Sequence, residues 1–233
     1  MSATLFDVGD YRLAAEITGD GPSTVVFSSG LGDAGEAWAA TIAALSTRAR
    51  VLTYARAGVS ESDALPAPAP RSYGDAADEL RRLLATVGLK EPVVLVGHSI
   101  GAIIALVFTA TWPDTVAGLV LVDPSDVQLP LDLEPPKLVM HDGDREDRAS
   151  FDMRRGAAEA VASRQHLGIP NVVITSRVGR WLEVATPEFW QPFSLEDLDE
   201  RWQRHHRELA TSLGGSRPAS IQDRWCWGAT DPG

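Results

Sequence analysis

The sequence predicts an α/β domain organised around a mostly parallel, doubly wound sheet, and three observations carry that expectation. Short, continuous apolar runs rich in β-branched residues recur along the chain, as strands buried on both faces require. Stretches of helical periodicity separate them, and strand, helix, strand in that order builds a parallel sheet with right-handed crossovers. A Gly-x-Ser-x-Gly stretch, Gly97-His98-Ser99-Ile100-Gly101, sits where one of the strongest runs meets an apolar helix. The 233 residues suit one domain with a sizeable core and are too few for two full-sized α/β units, so a single domain over 1–233 is expected.

Taken in order, Tyr11 to Thr18 alternates and reads as an antiparallel edge hairpin with the segment before it. Thr24-Val25-Val26-Phe27 is the first buried strand. Ala34 to Thr47 reads as a helix carrying Trp38, Ile42 and Leu45 on one side, and Val51 to Tyr54 as a weaker strand. Pro66 to Pro70 is a stiff surface connection. Ser72 to Val87 places Leu80, Leu83, Leu84 and Val87 on one face, with Asp75, Asp78 and Glu79 towards the start, where the helix dipole favours anions. Pro92 to Val96 and Gly118 to Val122 are strands. Between them Ile100 to Trp112 is apolar nearly all round, as a helix buried against the sheet should be, and Pro113 ends it.

From Asp126 the sheet rhythm lapses. Pro130, Pro135, Pro136 and a charge run from Asp142 to Arg155 predict a small helical lid insertion over about residues 126–168. Asn171 to Thr175 resumes the sheet, and Leu195, Leu198, Trp202, Leu209 and Leu213 mark a late amphipathic helix. Beyond Leu213 the periodicity disappears. The tail, 214–233, reads as atypical, lacking a terminal strand and helix.

Composition excludes several classes. The net charge is −11, from 32 acidic and 21 basic residues, which argues against a nucleic-acid partner. No apolar run approaches the length of about 18 residues that a membrane span needs. Met1 to Asp10 has neither the basic start nor the apolar stretch of a secretory signal, so a soluble cytoplasmic protein is expected. Cys226 stands alone, which excludes a disulfide framework and a cysteine-based zinc site. No metal or organic cofactor is called for.

The chemistry centres on Ser99. In the strand–Gly-x-Ser-x-Gly–helix context the serine occupies a strained turn that lifts its hydroxyl above the sheet edge. A side chain in place of either flanking glycine would strike the neighbouring strand or helix. A tetrahedral oxyanion needs two aligned backbone donors. Ile100 N–H, directly after the nucleophile, is one. Leu31 N–H, in the loop Ser28-Ser29-Gly30-Leu31-Gly32-Asp33, is the natural second. Trp38 is a candidate for lining the acyl pocket, with a core position equally open.

These residues resemble the α/β-hydrolase superfamily over about residues 1–213. The resemblance rests on the Ser-Gly-Leu-Gly loop, on Tyr54-Ala55-Arg56-Ala57-Gly58-Val59-Ser60-Glu61-Ser62, on Gly-His-Ser-Ile-Gly and on Leu119-Val120-Leu121-Val122-Asp123-Pro124, in that order. There are two departures. Ser29-Gly30 stands where His-Gly is usual, which is expected to loosen the oxyanion loop. Ala55-Arg56 stands where Asp-Arg is usual, which is expected to affect only local turn stability.

The resemblance implies a serine hydrolase for a small-molecule acyl ester: an esterase, lipase, lactonase, thioesterase or perhydrolase. Dehalogenases and epoxide hydrolases of this fold use an Asp as nucleophile. It also implies a carboxylate at the end of the strand before Pro124 or of the next one. Asp123 is preferred, because the segment after Thr175 has no acid until Glu183. A rival, Asp144 in His141-Asp142-Gly143-Asp144, would require Lys137 to Met140 to be the next parallel strand, after too short a crossover.

The superfamily places its catalytic histidine after the last strand, near the C-terminus. This chain's five histidines are His98, His141, His166, His205 and His206. His98 should point away from Ser99, His141 and His166 belong to the lid or its border, His205 packs in the late helix and His206 is solvated. The reading is therefore a serine ester hydrolase whose activity is impaired by the absent base, with a C-terminus truncated or frame-altered relative to its relatives. The alternative is a non-catalytic binding module or inactive fragment on the same fold.

Overall fold

The computed structural model describes residues 3–67, 69–142, 149–214 and 219–221. The N-terminal alternation becomes a hairpin: β1 (Thr4–Asp7) and β2 (Arg12–Thr18) pair antiparallel, with Thr4 opposite Ala15. β3 (Thr24–Ser28), β4 (Arg50–Tyr54), β5 (Val93–His98), β6 (Val116–Val122) and β9 (Asn171–Ser176) then run parallel. A last short strand, β10 (Ala219–Ile221), pairs parallel with β9. The eight-stranded order is β1-β2-β4-β3-β5-β6-β9-β10, with β2 antiparallel to β4.

Continuous apolar runs fit this topology because both faces of the inner strands are covered. Val26, Leu52, Leu95, Leu119 and Leu121 point into a core shared with α2 (Tyr73–Val87), α3 (Ile100–Thr111), α5 (Met153–Ala162) and α7 (Leu195–Ser212). The other face is packed by α1 (Ala39–Leu45) and the 3-10 turn Glu36–Trp38, with Trp38 and Ile42 against Phe27, Val51, Val96 and Val122. On that face Val94, Val120 and Ile174 stay partly buried and Val172 is exposed.

Local signals set the helix ends. Ser72 caps α2 by accepting from Asp75 N–H, and Asp75 returns the bond to the Ser72 N–H. Gly88 closes α2 in the left-handed region at φ 79°. The same reciprocal cap, Ser194 with Asp197, opens α7. α3 is buried from Ile100 to Thr109, which is why it needs no polar face.

Two expectations are corrected. The insertion is mixed rather than helical: α4 (Leu129–Asp132), an antiparallel pair β7 (Val139–His141) and β8 (Ser150–Asp152) forming their own small sheet, and then α5. The strand before Asp144 is thus not the next parallel strand, which is β9; Asp144 itself lies outside the described residues. Asp142, at the start of the charge run, is completely buried. The tail does supply a strand. Ala219–Ile221 is too short to show a hydrophobic pattern, but a parallel ladder needs only its backbone groups. The rest of the tail, from 222, lies outside the described residues. Among those described, no helix is long and apolar enough to cross a membrane.

Candidate active site

Ser99 sits between β5 and α3 at φ 52°, ψ −122°, a left-handed backbone that a non-glycine residue adopts only at a cost of about 1–3 kcal/mol. Its flanking glycines are sterically required. A Cβ on Gly97 would lie 2.4 Å from Ala102 Cα, and one on Gly101 would lie 2.2 Å from Ser28 O. Close approach of α3 to both β5 and the 28–32 loop is what raises the serine. Asp123, at the end of β6, is likewise strained at φ 47°. Two strained non-glycine residues on adjacent strand ends mark a place where geometry was kept at the expense of stability.

Both residues line one cavity of about 270 Å³. Leu31 and Ile100 line it too, so four residues singled out from the sequence converge on the same space. Among the described residues no protein acceptor engages the N–H of Leu31 or Ile100. Most of the remaining wall is apolar, including Leu129, Met140, Trp181, Trp190 and Trp202. No sequence signal separates a buried indole from one that borders a cavity.

Trp38 is a correction. It is buried on the opposite face of the sheet, tilted against Phe27 with centroids 4.8 Å apart and donating to Ser29 Oγ at 3.2 Å, and it does not line the cavity. Its 4- and 3-residue spacing with Ile42 and Leu45 was the signature of a core stripe.

The Asp123 carboxylate is fully engaged. Oδ1 accepts from Ser176 N–H at 3.0 Å and Trp202 Nε1–H at 2.8 Å, and Oδ2 accepts from Arg180 Nη1 at 3.1 Å. Burial alone would raise its pKa; His206 and these donors outweigh that and hold it below the usual carboxylate value.

All five histidines lie among the described residues, and none hydrogen-bonds Ser99. The partner of Ser99 Oγ is Ser125 Oγ, at 3.1 Å. His206 is fully buried rather than solvated. Its Nε2–H donates to Pro124 O at 2.8 Å, so Nδ1 is the acceptor facing the Thr175 hydroxyl at 2.6 Å. Nδ1 also lies 4.0 Å from Asp123 Oδ1. The ring is therefore adjacent to the acid, with both nitrogens committed elsewhere. Helical periodicity placed His206 on the polar side of α7, but that side meets the ends of β6 and β9. His205 is packed in α7 as expected, 3.3 Å from Arg164 Nη2. His141 and His166 are exposed and do not line the cavity. His98 lines the cavity without bonding Ser99, its ring edge-on to Trp38 with centroids 6.2 Å apart, and burial pushes its pKa down to about 4.

The site thus holds a raised serine, two free N–H donors and a carboxylate whose hydrogen bonds come from Arg180, Trp202 and Ser176 rather than from an imidazole. Comparisons with known proteins agree with the fold. Residues 23–175 match the family model for the alpha/beta hydrolase fold. The chain is 39% identical over 103 residues to the Klebsiella pneumoniae (strain 342) protein named "Putative carbamate hydrolase RutD", which is 44% of this chain and 38% of that one. It therefore spans less than half the length of that relative. Among solved structures it is similar to the enol-lactonase from Burkholderia xenovorans LB400, with a TM-score of 0.65 and 18% identity over 94% of this chain and 91% of that one. It is also similar to a thermophilic esterase from Thermogutta terrifontis, at 0.58 and 21% over 95% and 90%. The chain belongs to the α/β-hydrolase fold family.

Proposed function

We propose that the chain carries a serine acyl-hydrolase site for small carboxylic esters. Ser99 is the nucleophile, Leu31 and Ile100 N–H are the oxyanion donors, and Asp123 is the acid of an incomplete triad. The observation that carries the reading is the strained Ser99 hydroxyl at the wall of an apolar cavity shared with two unengaged amides. A cavity of about 270 Å³ lies just below the usual range for ligand pockets, which favours short acyl groups.

In the forward step Ser99 Oγ bonds to the carbonyl carbon, the carbonyl electrons move to oxygen between the two N–H groups, and collapse breaks the ester C–O bond, expelling an alkoxide that takes its proton from solvent. Water then cleaves the acyl-serine. The Ser99 proton leaves to solvent, since no histidine of this chain receives it. Loss of a triad base costs several powers of ten, while the oxyanion hole and substrate binding sustain a residual rate. Slow turnover is the expected behaviour.

A fluorophosphonate probe followed by peptide mapping, with nitrophenyl esters of increasing acyl length, tests this. Labelling at Ser99 and ester turnover that Ser99→Ala abolishes are expected. Equal rates for wild type and Ser99→Ala would leave only a binding role.

A further inference from the structure

The loop that carries Leu31 is not held by its own sequence neighbours. Arg56, just after β4, is buried at 1% exposure, and its guanidinium donates from Nη1 to Ser29 O at 2.6 Å and from Nη2 to Gly30 O at 2.5 Å. Its charge is met by Asp142, 86 residues further on at the end of β7, with Nε to Oδ2 at 2.7 Å and Nη2 to Oδ1 at 2.8 Å. Asp142 Oδ1 also accepts from Gly32 N–H at 2.9 Å. Arg71 completes the cluster, reaching Asp142 Oδ2 at 2.8 Å and Glu79 at 3.0 Å. The network grips the peptides on both sides of Leu31.

The geometry of a trans peptide turns this grip into a catalytic constraint. The C=O of Gly30 and the N–H of Leu31 belong to one rigid plane and point in opposite directions. Fixing Gly30 O on the guanidinium therefore aims Leu31 N–H away from it. The Asp142 bond to Gly32 N–H fixes the next plane, leaving the Leu31 amide little rotational freedom. A charged donor on the carbonyl also polarises the plane and strengthens its N–H as a donor.

We infer that Arg56 and Asp142 form a clamp that positions the Leu31 N–H as an oxyanion donor, so that the β7–β8 hairpin of the insertion is part of the catalytic machinery. The inference rests on the acyl-hydrolase reading above. Arg56 and Asp142 are positioning residues and touch no reacting atom. Burial alone would raise the Asp142 pKa; Arg56, Arg71 and Gly32 N–H overcome that and hold it at about 2, so the clamp stays charged across the neutral range.

The test compares a nitrophenyl ester with its thiono counterpart, in which C=S replaces C=O, on wild type, Arg56→Lys and Asp142→Asn, with melting temperature as a fold control. N–H donors stabilise a compact O⁻ far better than a diffuse S⁻. Folded variants are expected to lose about 10- to 100-fold in kcat on the oxo ester, little on the thiono ester, and nothing in KM, by comparison with deletion of an oxyanion donor. Parallel losses on both esters, no loss, or failure of both variants to fold would each overturn the clamp as a positioning device. A wild type with no Ser99-dependent turnover would instead remove the hydrolase reading. The clamp is then judged on the Leu31 amide, whose ¹⁵N–¹H resonance shifts in Arg56→Lys if the guanidinium sets the plane; an unmoved resonance sinks it.

Discussion

Gly101→Ala is the sharpest test of how the elbow is built. The added methyl would lie 2.2 Å from Ser28 O and 2.3 Å from Ser29 O, against an ordinary carbon–oxygen separation of roughly 3.2 Å, so the parts must separate by roughly 1 Å. α3 is buried on every side from Ile100 to Thr109 and has nowhere to retreat. The 28–32 loop must move instead, against the bonds from Arg56 to Ser29 O and Gly30 O. Overpacking of this kind costs about 1–3 kcal/mol. A displacement of about 1 Å in a catalytic donor costs on the order of 100-fold in rate. Urea midpoints measure the first effect, and the second-order rate of fluorophosphonate labelling at Ser99 measures the second. A variant within about 0.5 kcal/mol of wild type that labels at the wild-type rate would refute both the close approach and its catalytic purpose, since surface-like tolerance is of that size.

Ser99→Gly should abolish labelling while raising stability by about 1 kcal/mol, because glycine accepts φ 52° without the strain that serine carries there; urea unfolding of the two proteins checks it. Acid should destabilise the fold well before the carboxylates titrate. Burial pushes His98 and His205 down to about 4 and about 3, so as pH falls below about 6.5 the unfolded chain takes up protons that the folded one refuses. Stability is full above pH 6.5 and falls towards pH 4, by up to about 3 kcal/mol for His98, and a flat urea profile between pH 7 and 5 would contradict this. Asp142, held at about 2, adds a second loss as pH drops from about 4 towards 2, and Asp142→Asn should remove that component.

The sheet and the strained turn at Ser99 were legible because both are local. β3, β5 and β6 announce themselves as continuous apolar runs, and the elbow is fixed by sterics within five residues. The partners of Arg56 and His206 were not legible for the converse reason. Asp142 stands in a charge run 86 residues from Arg56, and only the β7–β8 pairing carries it there. His206 lies on the polar side of α7 by periodicity, yet that side meets Pro124 and Thr175, so a polar surface is buried by hydrogen bonding rather than by apolar contact. Trp38 failed in the opposite sense: its pattern named a core residue, and proximity to the loop in sequence suggested a pocket.

On the proposed acyl-hydrolase reading, what sets this site apart from a complete triad is the company of Asp123. In a working triad the carboxylate orients an imidazole that faces the serine. Here Arg180 takes the free oxygen, Oδ2, while Trp202 and Ser176 hold Oδ1. Arg180→Ala should therefore expose Oδ2 to the cavity, which both residues line, without loosening the other two bonds. Asp123 is the more buried partner, at 12% against 26% for Arg180, so the removal should cost more than a surface pair does, about 1–3 kcal/mol. An imidazole supplied in the buffer then has an acceptor on which to orient and a hydroxyl to deprotonate. Ester hydrolysis by Arg180→Ala should rise with imidazole concentration and saturate, wild type should respond weakly, and Arg180→Ala/Ser99→Ala not at all. A linear response identical in all three proteins is the solution reaction alone, and it would mean that the acid end of this site is not aligned with the nucleophile.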